Sequence, residues 1–541
     1  MRSPSFEPVP GGRFPRANVV VISIDTLRRD HLAPYGAALE TAAASRLARE
    51  GVVFERAVSH VPLTLPSHSS IFTGLYPPHH GVRDNGGFVL PPGTATLAKR
   101  LHDQGYETGG FVGSYVLAKR WGIDQGHETY DDSFDYTGLE SRSLTEVERS
   151  GERVMDRALA WLEKKARGSR PFYLWVHLYD PHEPYAPPEA YRRRAPTAYA
   201  GEVLYADAQV ERLLAALDAK GLRKRTAVVY LADHGEALGD HGEKTHSVFV
   251  YGATLDVPLI VAPPLGARLG ESALDLAGRR VRGLARLVDV TPTVLDLVGL
   301  PVPTDLDGAS LLPLVAHEAA APAHGAGSPA ASPAGGAEAP GTAAESLDGP
   351  ASYAESYYPL FHHGWSELVV VETQRWRFIR APRPELYDRV ADPQERENVY
   401  EGNPRVAATL AAQLEAMGLQ KEGHEPKPGD IDPEALERLR ALGYVGGSGA
   451  SSSPAAKDPG PRPDPKDRLP LLQELQKAQG LRDEGRLEES ARLLEELARK
   501  DPQNPEVPFT LASVHFRRND FAASIAGLRR ALELNPRYAV A

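Results

Sequence analysis

Three acidic or imidazole side chains directly follow apolar runs, where together they could bind a divalent cation. Asp25 ends the run NVVVISID, Asp233 ends the run AVVYLAD, and His234 follows at once. Two carboxylates and one imidazole suit calcium, magnesium, manganese or zinc. A hydroxyl beside such a cation loses its proton more easily and becomes a nucleophile near neutral pH. These residue types therefore indicate metal-assisted attack by a hydroxyl group.

Thr64 is the candidate for that hydroxyl. It lies just before a Pro-Ser-His-Ser-Ser stretch that could open a helix, and a helix N-terminus offers free N–H groups and a positive dipole end to an anion. A phosphate or sulfate ester would then be held by the cation and the helix together. The departing alcohol needs a nearby acid, for which His177 and His182 are the candidates.

Each of these features also has a simpler explanation. A single Asp at the end of a strand is usually a turn or capping residue, and an isolated Asp-His-Gly triplet is common by chance. Histidine-rich loops are more often surface than ligand. His246, His362 and His363 are spare candidates for ligands of a second metal, but we expect them at the surface. Residue types and spacing alone leave both explanations open.

The elements that must position these side chains alternate between strand and helix patterns. Apolar runs indicate buried strands at 18–25, 172–177, 227–233 and 257–262, and helical patterns cover 96–103 and 154–165. This alternation predicts an α/β fold whose mostly parallel sheet is flanked by helices. Ligands of such sheets bind beyond the carboxyl ends of the strands, and Asp25, His177 and Asp233 are expected at those ends.

Composition limits the classes of partner and chemistry. The chain has 541 residues and a formal net charge of −11, which argues against nucleic acid as its main partner but allows an anionic ester substrate in a metal site. There is no cysteine, which excludes disulfides and thiol catalysis. No apolar window is long enough for a transmembrane segment, and the first 17 residues do not read as a signal peptide. We expect a cytoplasmic protein, or a periplasmic or secreted one if the true start lies upstream.

The C-terminal region contains an internal repeat. Residues recur at an offset of 34, namely Ala478, Gly485, Leu487, Leu494 and Pro502 as Ala512, Asn519, Phe521, Leu528 and Pro536. That period is typical of tetratricopeptide repeats, with an unrelated helical hairpin as the alternative. We expect a small all-α domain at 467–541 that binds a protein partner, after a flexible linker at 446–466. A stretch of Ala, Gly, Pro and Ser at about 319–350 is expected to be a disordered insertion.

Residues 17–445 resemble the sulfatase-like hydrolases of the alkaline phosphatase superfamily. The resemblance rests on VVVISIDTLRRDHLAPYG at 19–36, TLPSHSSIFTGLYPPHHGV at 64–82, VHLYDPHEPYAPP at 176–188 and DHGEALGDHGEKTH at 233–246, in the expected order. It implies an alkaline-phosphatase-like fold with Asp25, Asp233 and His234 as metal ligands. It also implies that Thr64 is a nucleophile in contact with the metal and that His177 contacts the ester oxygen.

The nucleophile segment departs from the family pattern. Sulfatases place a cysteine, matured to formylglycine, at the start of Cys-x-Pro-Ser-Arg, whereas this chain has Thr64-Leu65-Pro66-Ser67-His68. Threonine cannot become formylglycine, but it is the normal nucleophile in sister families, the nucleotide pyrophosphatase/phosphodiesterases and the phosphoethanolamine transferases. Asn85 lies 21 residues after Thr64 and resembles the asparagine that steadies the oxyanion in those phosphodiesterases.

These features together predict a metal-dependent, sulfatase-like hydrolase. It would cleave sulfate or phosphate esters through Thr64, with Asn85, His177 and His182 assisting. A phosphodiesterase or a phosphoethanolamine-type transferase of the same superfamily is one alternative. A tetratricopeptide interaction protein with an inactive sulfatase-like scaffold is another, and the retained metal-ligand residues argue against it.

Overall fold

The computed structural model describes residues 14–135, 148–166, 168–269, 274–320, 351–419 and 462–535. The insertion expected at about 319–350 lies outside the described residues except for its first two positions. The linker expected at 446–466 also lies outside them as far as residue 461.

A nine-stranded sheet forms the centre of the larger part of the chain, in the order β10-β2-β7-β6-β1-β5-β3-β4 with β11 beside β2. Its strands are β1 Asn18–Ile24, β2 Val52–Val58, β3 Glu107–Phe111, β4 Thr129–Asp131, β5 Phe172–Leu178, β6 Thr226–Ala232, β7 Asp256–Ala262, β10 Arg279–Val281 and β11 Ala285–Arg286. Two short strands, β8 Arg268–Leu269 and β9 Leu274–Asp275, pair separately. All pairs in the large sheet are parallel except those that β7 makes with β2 and β6.

Helices cover this sheet. They are α1 Ala42–Glu50, α2 Thr64–Thr73, α3 Pro77–His80, α4 Leu97–Asp103, α5 Gly151–Lys165, α6 Glu189–Arg192, α7 Ala198–Ala219, α8 Gly252–Leu255, α9 Val290–Leu297 and α10 Leu312–Ala320. The two helices expected from sequence are α4, whose Thr96 caps it by accepting from the Lys99 N–H, and α5. Strands β1, β5 and β6 are buried along their whole length, which is why they are continuous apolar runs. The predicted α/β fold with a mostly parallel sheet is confirmed.

A second, four-stranded antiparallel sheet follows. It contains β12 Ser352–Ser356, β13 Leu368–Glu372, β14 Trp376–Arg380 and β15 Glu385–Asp388 in that order, with helices α11 Tyr358–His363 and α12 Pro404–Met417. Arg377 in β14 is fully buried and bonds Glu372, Glu395 and Asp256 at 2.6–2.9 Å. Because Asp256 begins β7, this cluster of charges joins the second sheet to the first.

Four helices form the C-terminal part, α13 Pro465–Asp483, α14 Leu487–Lys500, α15 Glu506–Arg517 and α16 Phe521–Leu534. They make two helix pairs around their own apolar cluster, which includes Leu475, Leu494 and Val514. Helix α13 also contacts the rest of the protein, since Leu472 packs in one cluster with Trp365 and Val248. Among the described residues, no helix combines the length and apolar character that a bilayer crossing requires.

Candidate active site

The three central strands bring the predicted site residues to one edge of the sheet. Strand β1 pairs in parallel with β5 on one side and β6 on the other, so that Ile24 lies level with Leu178 and with Ala232. Asp25 therefore follows β1 next to His177 in β5 and next to Asp233 after β6. All three side chains are fully buried, as expected for residues beyond the carboxyl ends of parallel strands.

Thr64 is the first residue of α2 and lies against this edge. Its Oγ1 is 3.5 Å from both carboxylate oxygens of Asp25 and 3.4 Å from Nε2 of His234. The side chain is 1% exposed. The hydroxyl thus lies next to two of the three groups that sequence assigned to a cation.

Asp25, Asp233 and His234 have the geometry of a cation site. Each offers one ligand atom, and these three atoms all lie within 4.8 Å of one another. His234 Nδ1–H donates to the Gly235 carbonyl at 3.0 Å, which leaves the Nε2 lone pair facing the carboxylates. Asp233 Oδ2 is buried and has no hydrogen-bond donor among the described residues. Asp233 Oδ2 and His234 Nε2 can both donate a lone pair to a divalent cation, so these residues fit the group that the resemblance implies.

The protonation states of these groups support that fit. Burial raises the pKa of the Asp25 carboxyl, and burial together with the neighbouring Asp25 charge raises the pKa of Asp233 well above its ordinary value. Burial lowers the pKa of His234 well below its usual range, so that imidazole stays neutral, the form that binds metals. Two buried carboxylates this close are costly without a cation to balance them.

His177 and His182 face the same site in different tautomers. His177 Nδ1 accepts from the Gly113 N–H at 3.3 Å, so its neutral ring carries the hydrogen on Nε2, which lies 3.5 Å from Asp25 Oδ2. His182 Nδ1–H donates to the Glu183 carbonyl at 2.6 Å, which leaves its buried Nε2 as an acceptor. Burial lowers the pKa of His177 to about 3 and that of His182 to about 4. His177 can therefore donate a hydrogen bond, and His182 can take up a proton.

Asn85 alters the anion-binding capacity of α2. Its Oδ1 accepts from the Leu65 N–H at 2.8 Å, Pro66 has no N–H, and the Ser67 N–H donates to Leu63. Among the first-turn donors of this helix, only the Thr64 N–H lacks a partner within the described residues. The expected cluster of free N–H groups at the start of α2 is thus reduced to one. Asn85 also lines a cavity, and its side-chain amide nitrogen has no acceptor among the described residues.

His68 was missed as a neighbour of the site. With His177 and Asp233 it makes a second group of potential metal ligands. However, His68 Nδ1–H donates to the Thr64 carbonyl at 2.8 Å, and its Nε2 lies 2.9 Å from the Ser23 hydroxyl. Because both ring nitrogens are already engaged, we interpret His68 as a buried support for α2. The sequence signals were its position four residues after Thr64 on a predicted helix and its place at the arginine position of the family's nucleophile segment.

The expectation that three other histidines lie at the surface was wrong. His362 and His363 are buried at 0% and 3% exposure, and the His246 side chain is 9% exposed. His246 Nδ1 pairs with the buried Glu236 carboxylate at 3.1 Å, and its ring lies 4.6 Å from that of His234. Glu236 also accepts from the Tyr185 hydroxyl at 3.0 Å. His246 and Glu236 therefore belong to the surroundings of the site, while His362 bonds Asp84 farther away.

A cavity of about 370 Å³ lies at the mouth of this site. Asn85, Tyr179, His182 and His246 line one side of it. Helix α13 lines another side with Leu469, Leu472, Gln473 and Gln476. A cavity of this size accommodates a small-molecule ligand rather than a single ion.

Comparison with known proteins identifies the family and the fold. The family model described as Sulfatase matches residues 17–300, and a tetratricopeptide-repeat model matches residues 481–541. Mouse (Mus musculus) steryl-sulfatase is 26% identical, over 84% of this chain and 90% of its own length. A protein solved with its substrate D-glucosamine-2-N,6-O-disulfate has a TM-score of 0.59 at 21% identity and covers 76% of this chain and 100% of its own. The phosphonate monoester hydrolase of Agrobacterium radiobacter has a TM-score of 0.57 at 20% identity and covers 77% and 100%.

Proposed function

Since the chain belongs to the sulfatase family, we propose that it hydrolyses sulfate or phosphate esters with Thr64 as the nucleophile. One observation carries this proposal. The Thr64 hydroxyl lies within 3.5 Å of Asp25 and His234 at the edge where the central strands end. The alternative of a capping threonine with no chemical role does not account for two buried acids and a neutral imidazole around one hydroxyl.

The proposed reaction has two displacements. Thr64 Oγ1 loses its hydrogen and forms a bond to the sulfur or phosphorus of the ester, while the bond from that atom to the alcohol oxygen breaks. The departing alcohol oxygen takes up a proton. Water then attacks the same sulfur or phosphorus and returns a hydrogen to Thr64. This step releases sulfate from a sulfate ester, a phosphate monoester from a phosphate diester, or a phosphonate from a phosphonate monoester.

Asp25, Asp233 and His234 are the proposed ligands of a divalent cation, with the Thr64 hydroxyl beside it. When bound, such a cation lowers the pKa of a neighbouring hydroxyl and stabilises negative charge on an ester oxygen. Asp25 accepts a hydrogen bond from Thr64 in the geometry observed, and the His234 ring is held by its bond to the Gly235 carbonyl. These contacts hold the hydroxyl beside the proposed cation ligands.

The remaining predicted residues have distinct proposed roles. His177 donates its Nε2 hydrogen to an ester oxygen, because its other nitrogen is held by the Gly113 N–H. Asn85 donates its amide nitrogen to a developing oxyanion, because its oxygen is held by Leu65. His182 exchanges a proton with the alcohol oxygen. Its pKa of about 4 means that it must be protonated in the complex, where a nearby anion favours the charged form.

The charge of the site favours a singly charged ester. Asp25 and Asp233 contribute two negative charges, which one divalent cation balances. The low pKa values of His177, His182 and His234 keep these rings neutral in the free protein. Any bound ester therefore brings negative charge that this balance does not offset, and a doubly charged phosphate monoester brings twice as much as a singly charged ester, which is costly in a buried site. We therefore expect sulfate monoesters, phosphate diesters or phosphonate monoesters to be better substrates than phosphate monoesters.

Substitution of Thr64 tests the proposal. Purified Thr64→Ala, Thr64→Ser and wild-type protein are assayed with 4-nitrophenyl sulfate, bis(4-nitrophenyl) phosphate and 4-nitrophenyl phenylphosphonate, each with four separate cations. We expect Thr64→Ala to lose about three or more orders of magnitude in kcat, as nucleophile removal does in other hydrolases, and Thr64→Ser to keep measurable turnover. Undiminished turnover in Thr64→Ala would contradict the proposed role.

A transferase would use the same first displacement, so the second must be tested separately. Glycerol or ethanolamine added to the assay competes with water for the covalent intermediate. A hydrolase yields one free acid for each 4-nitrophenol released: sulfate from the sulfate ester, 4-nitrophenyl phosphate from the phosphate diester or phenylphosphonate from the phosphonate. A transferase yields the new ester of the added alcohol, with less of that acid than 4-nitrophenol.

The C-terminal repeats are proposed to bind a protein partner. Helices α15 and α16 expose Phe516, Phe521 and Ile525 at 61%, 53% and 51%, which is unusual for large apolar side chains unless another surface covers them. A Phe516→Ser, Phe521→Ser double variant should lose partners that cross-link to wild-type protein, with Thr64→Ala as the control that keeps them. Stoichiometric metal in the purified protein would argue against an inactive scaffold that serves binding alone.

A further inference from the structure

One face of helix α13 forms a wall of the cavity at the candidate active site. Leu469, Leu472, Gln473 and Gln476 line the cavity, and their spacing of three to four residues places them on one face of a helix. Lys477, one residue further, is exposed and does not line it. The cavity is thus closed partly by the helix that begins the repeat region.

This wall is attached to the site rather than merely near it. Gln473 Nε2 donates to the Gly242 carbonyl at 3.1 Å, and Gly242 lies in the loop that leads to His246. Leu472 is 9% exposed and packs with Val248 and Trp365. The Trp365 indole N–H in turn donates to Asp501 between α14 and α15 at 3.0 Å. These contacts hold α13 at a defined distance from the histidines of the site.

The cavity walls are chemically mixed. The side chains of Leu63, Val248, Leu469 and Leu472 supply apolar surface, and Tyr179 and Tyr358 supply aromatic rings. Charged residues outside helix α13 also line the cavity, namely Glu183, Glu243 and Lys244. Helix α13 contributes no charge, but it contributes two carboxamides, of which Gln473 retains its acceptor oxygen. Carboxamides bind hydroxyl and amide groups, while leucine and tyrosine surfaces bind the apolar face of a ring.

We infer that helix α13 is the leaving-group side of the substrate site. It selects a ring-sized alcohol with one apolar face and hydroxyl or amide groups where that alcohol meets the helix. This inference rests on the proposed ester hydrolysis and deepens it, because it assigns substrate selection to the repeat region rather than to the sulfatase-like part alone. Gln476 and Leu469 are then specificity-determining residues, although neither touches the reacting atoms.

The test fills the cavity from an exposed position, where the fold tolerates a larger side chain. Gln476→Trp places an indole in the cavity, and Lys477→Trp places the same indole on the adjacent, outward-facing position as the matched control. Methyl and 4-methylumbelliferyl esters are compared, using the sulfate, phosphate-diester or phosphonate group that wild-type protein cleaves fastest. We expect Gln476→Trp to lower kcat/KM about tenfold for the 4-methylumbelliferyl ester and to leave that for the methyl ester within about twofold. Lys477→Trp should leave the ratio of the two values unchanged.

Two outcomes would overturn the inference while leaving ester hydrolysis intact. The ratio of kcat/KM for the 4-methylumbelliferyl ester to kcat/KM for the methyl ester could stay at its wild-type value in Gln476→Trp. Alternatively, that ratio could change as much in Lys477→Trp as in Gln476→Trp. A binding experiment separates failure of this inference from failure of the proposed function. The 4-methylumbelliferyl ester is titrated calorimetrically into the Thr64→Ala variant and into the double variant Thr64→Ala, Gln476→Trp. If wild-type protein cleaves no ester but binding still weakens about tenfold with the indole at 476, the cavity assignment stands and the hydrolase proposal falls. Equal binding by both variants refutes the cavity assignment.

Discussion

Replacement of Asp233 by asparagine would test the cation site through stability instead of turnover. In the metal-free protein, Asp25 and Asp233 are fully buried neighbours, and burial is the main reason that both pKa values are raised. The folded protein then holds protons on these carboxyls more tightly than the unfolded chain does. Its stability therefore falls as the pH rises above 3.8, the ordinary pKa of an aspartate carboxyl. Asp233→Asn keeps the shape of the side chain and removes one of the two charges. Metal-free Asp233→Asn should therefore melt above metal-free wild-type protein at pH 8.

Addition of a cation should reverse the order of the two melting temperatures, so that wild-type protein melts above Asp233→Asn. A ligand present at 100 times its Kd stabilises the folded protein by about 2.7 kcal/mol. For a region of this size, each kcal/mol shifts Tm by about 1–2 °C, extrapolating the trend that larger domains shift less. Wild-type Tm should thus rise by about 3–5 °C with the correct cation. Asp233→Asn lacks one of three ligands and should show little or no shift.

Differential scanning calorimetry after dialysis against EDTA measures both effects, with calcium, magnesium, manganese and zinc added back separately. Asp156→Asn is the matched control, since the Asp156 side chain is 58% exposed and lies away from the site. The reasoning is refuted if none of the four cations shifts wild-type protein. It is also refuted if Asp233→Asn shows the same cation-induced shift as wild-type protein.

Three further predictions concern the framework. Arg377→Met removes the one side chain that bonds Glu372, Glu395 and Asp256 together, although Arg56 still pairs with Glu372 and Arg389 with the other two. The change should therefore cost about 3 kcal/mol in urea unfolding, the low end for a broken buried ion pair. A cost below about 1 kcal/mol would contradict the role assigned to this cluster. Burial raises the pKa of Asp207 to about 6, so its stabilising contribution is complete below about pH 3.8 and is lost as the pH rises through 6. Between pH 4 and 7, the free energy of unfolding should therefore fall less in Asp207→Asn than in wild-type protein. The difference should be at most about 3 kcal/mol. The same dependence of unfolding free energy on pH in both proteins would count against this. Trp365→Phe removes the indole donor to Asp501, at a cost of about 1–2 kcal/mol, and should speed proteolytic release of the C-terminal helices; an unaltered digestion rate would show that this bond does not hold them.

The central strands and the positions at their ends were predictable because burial on both faces leaves an unambiguous apolar run. Continuous apolar runs such as NVVVISID and AVVYLAD are typical of interior strands. The aspartate that ends each run is therefore expected at the edge of the sheet. Parallel pairing then brings Asp25 and Asp233 together without further information. The 34-residue offset was equally direct, and α14 and α16 begin 34 residues apart, at Leu487 and Phe521.

Burial of histidines and contact between distant segments were not predictable in the same way. A histidine in a loop has no periodic pattern, so nothing local distinguishes buried His246 from an exposed residue. Its burial depends on Glu236 and on the cavity wall. The place of α13 depends on contacts between residues more than 200 positions apart, such as Gln473 with Gly242. The second sheet was missed because its strands are short, four to five residues each.

The start of α2 explains why the site should depend on a cation even for binding. A helix N-terminus ordinarily holds an anion with several free N–H groups. Here Pro66 removes one donor, Ser67 uses another within the helix, and Asn85 occupies the Leu65 N–H. With one backbone N–H of the first turn left without a partner among the described residues, the ester must be held mainly by side-chain donors and by direct contact with the cation on Asp25 and Asp233. Removal of the cation should therefore weaken substrate binding to Thr64→Ala as well as abolish turnover in wild-type protein, whereas a helix-held ester would still bind.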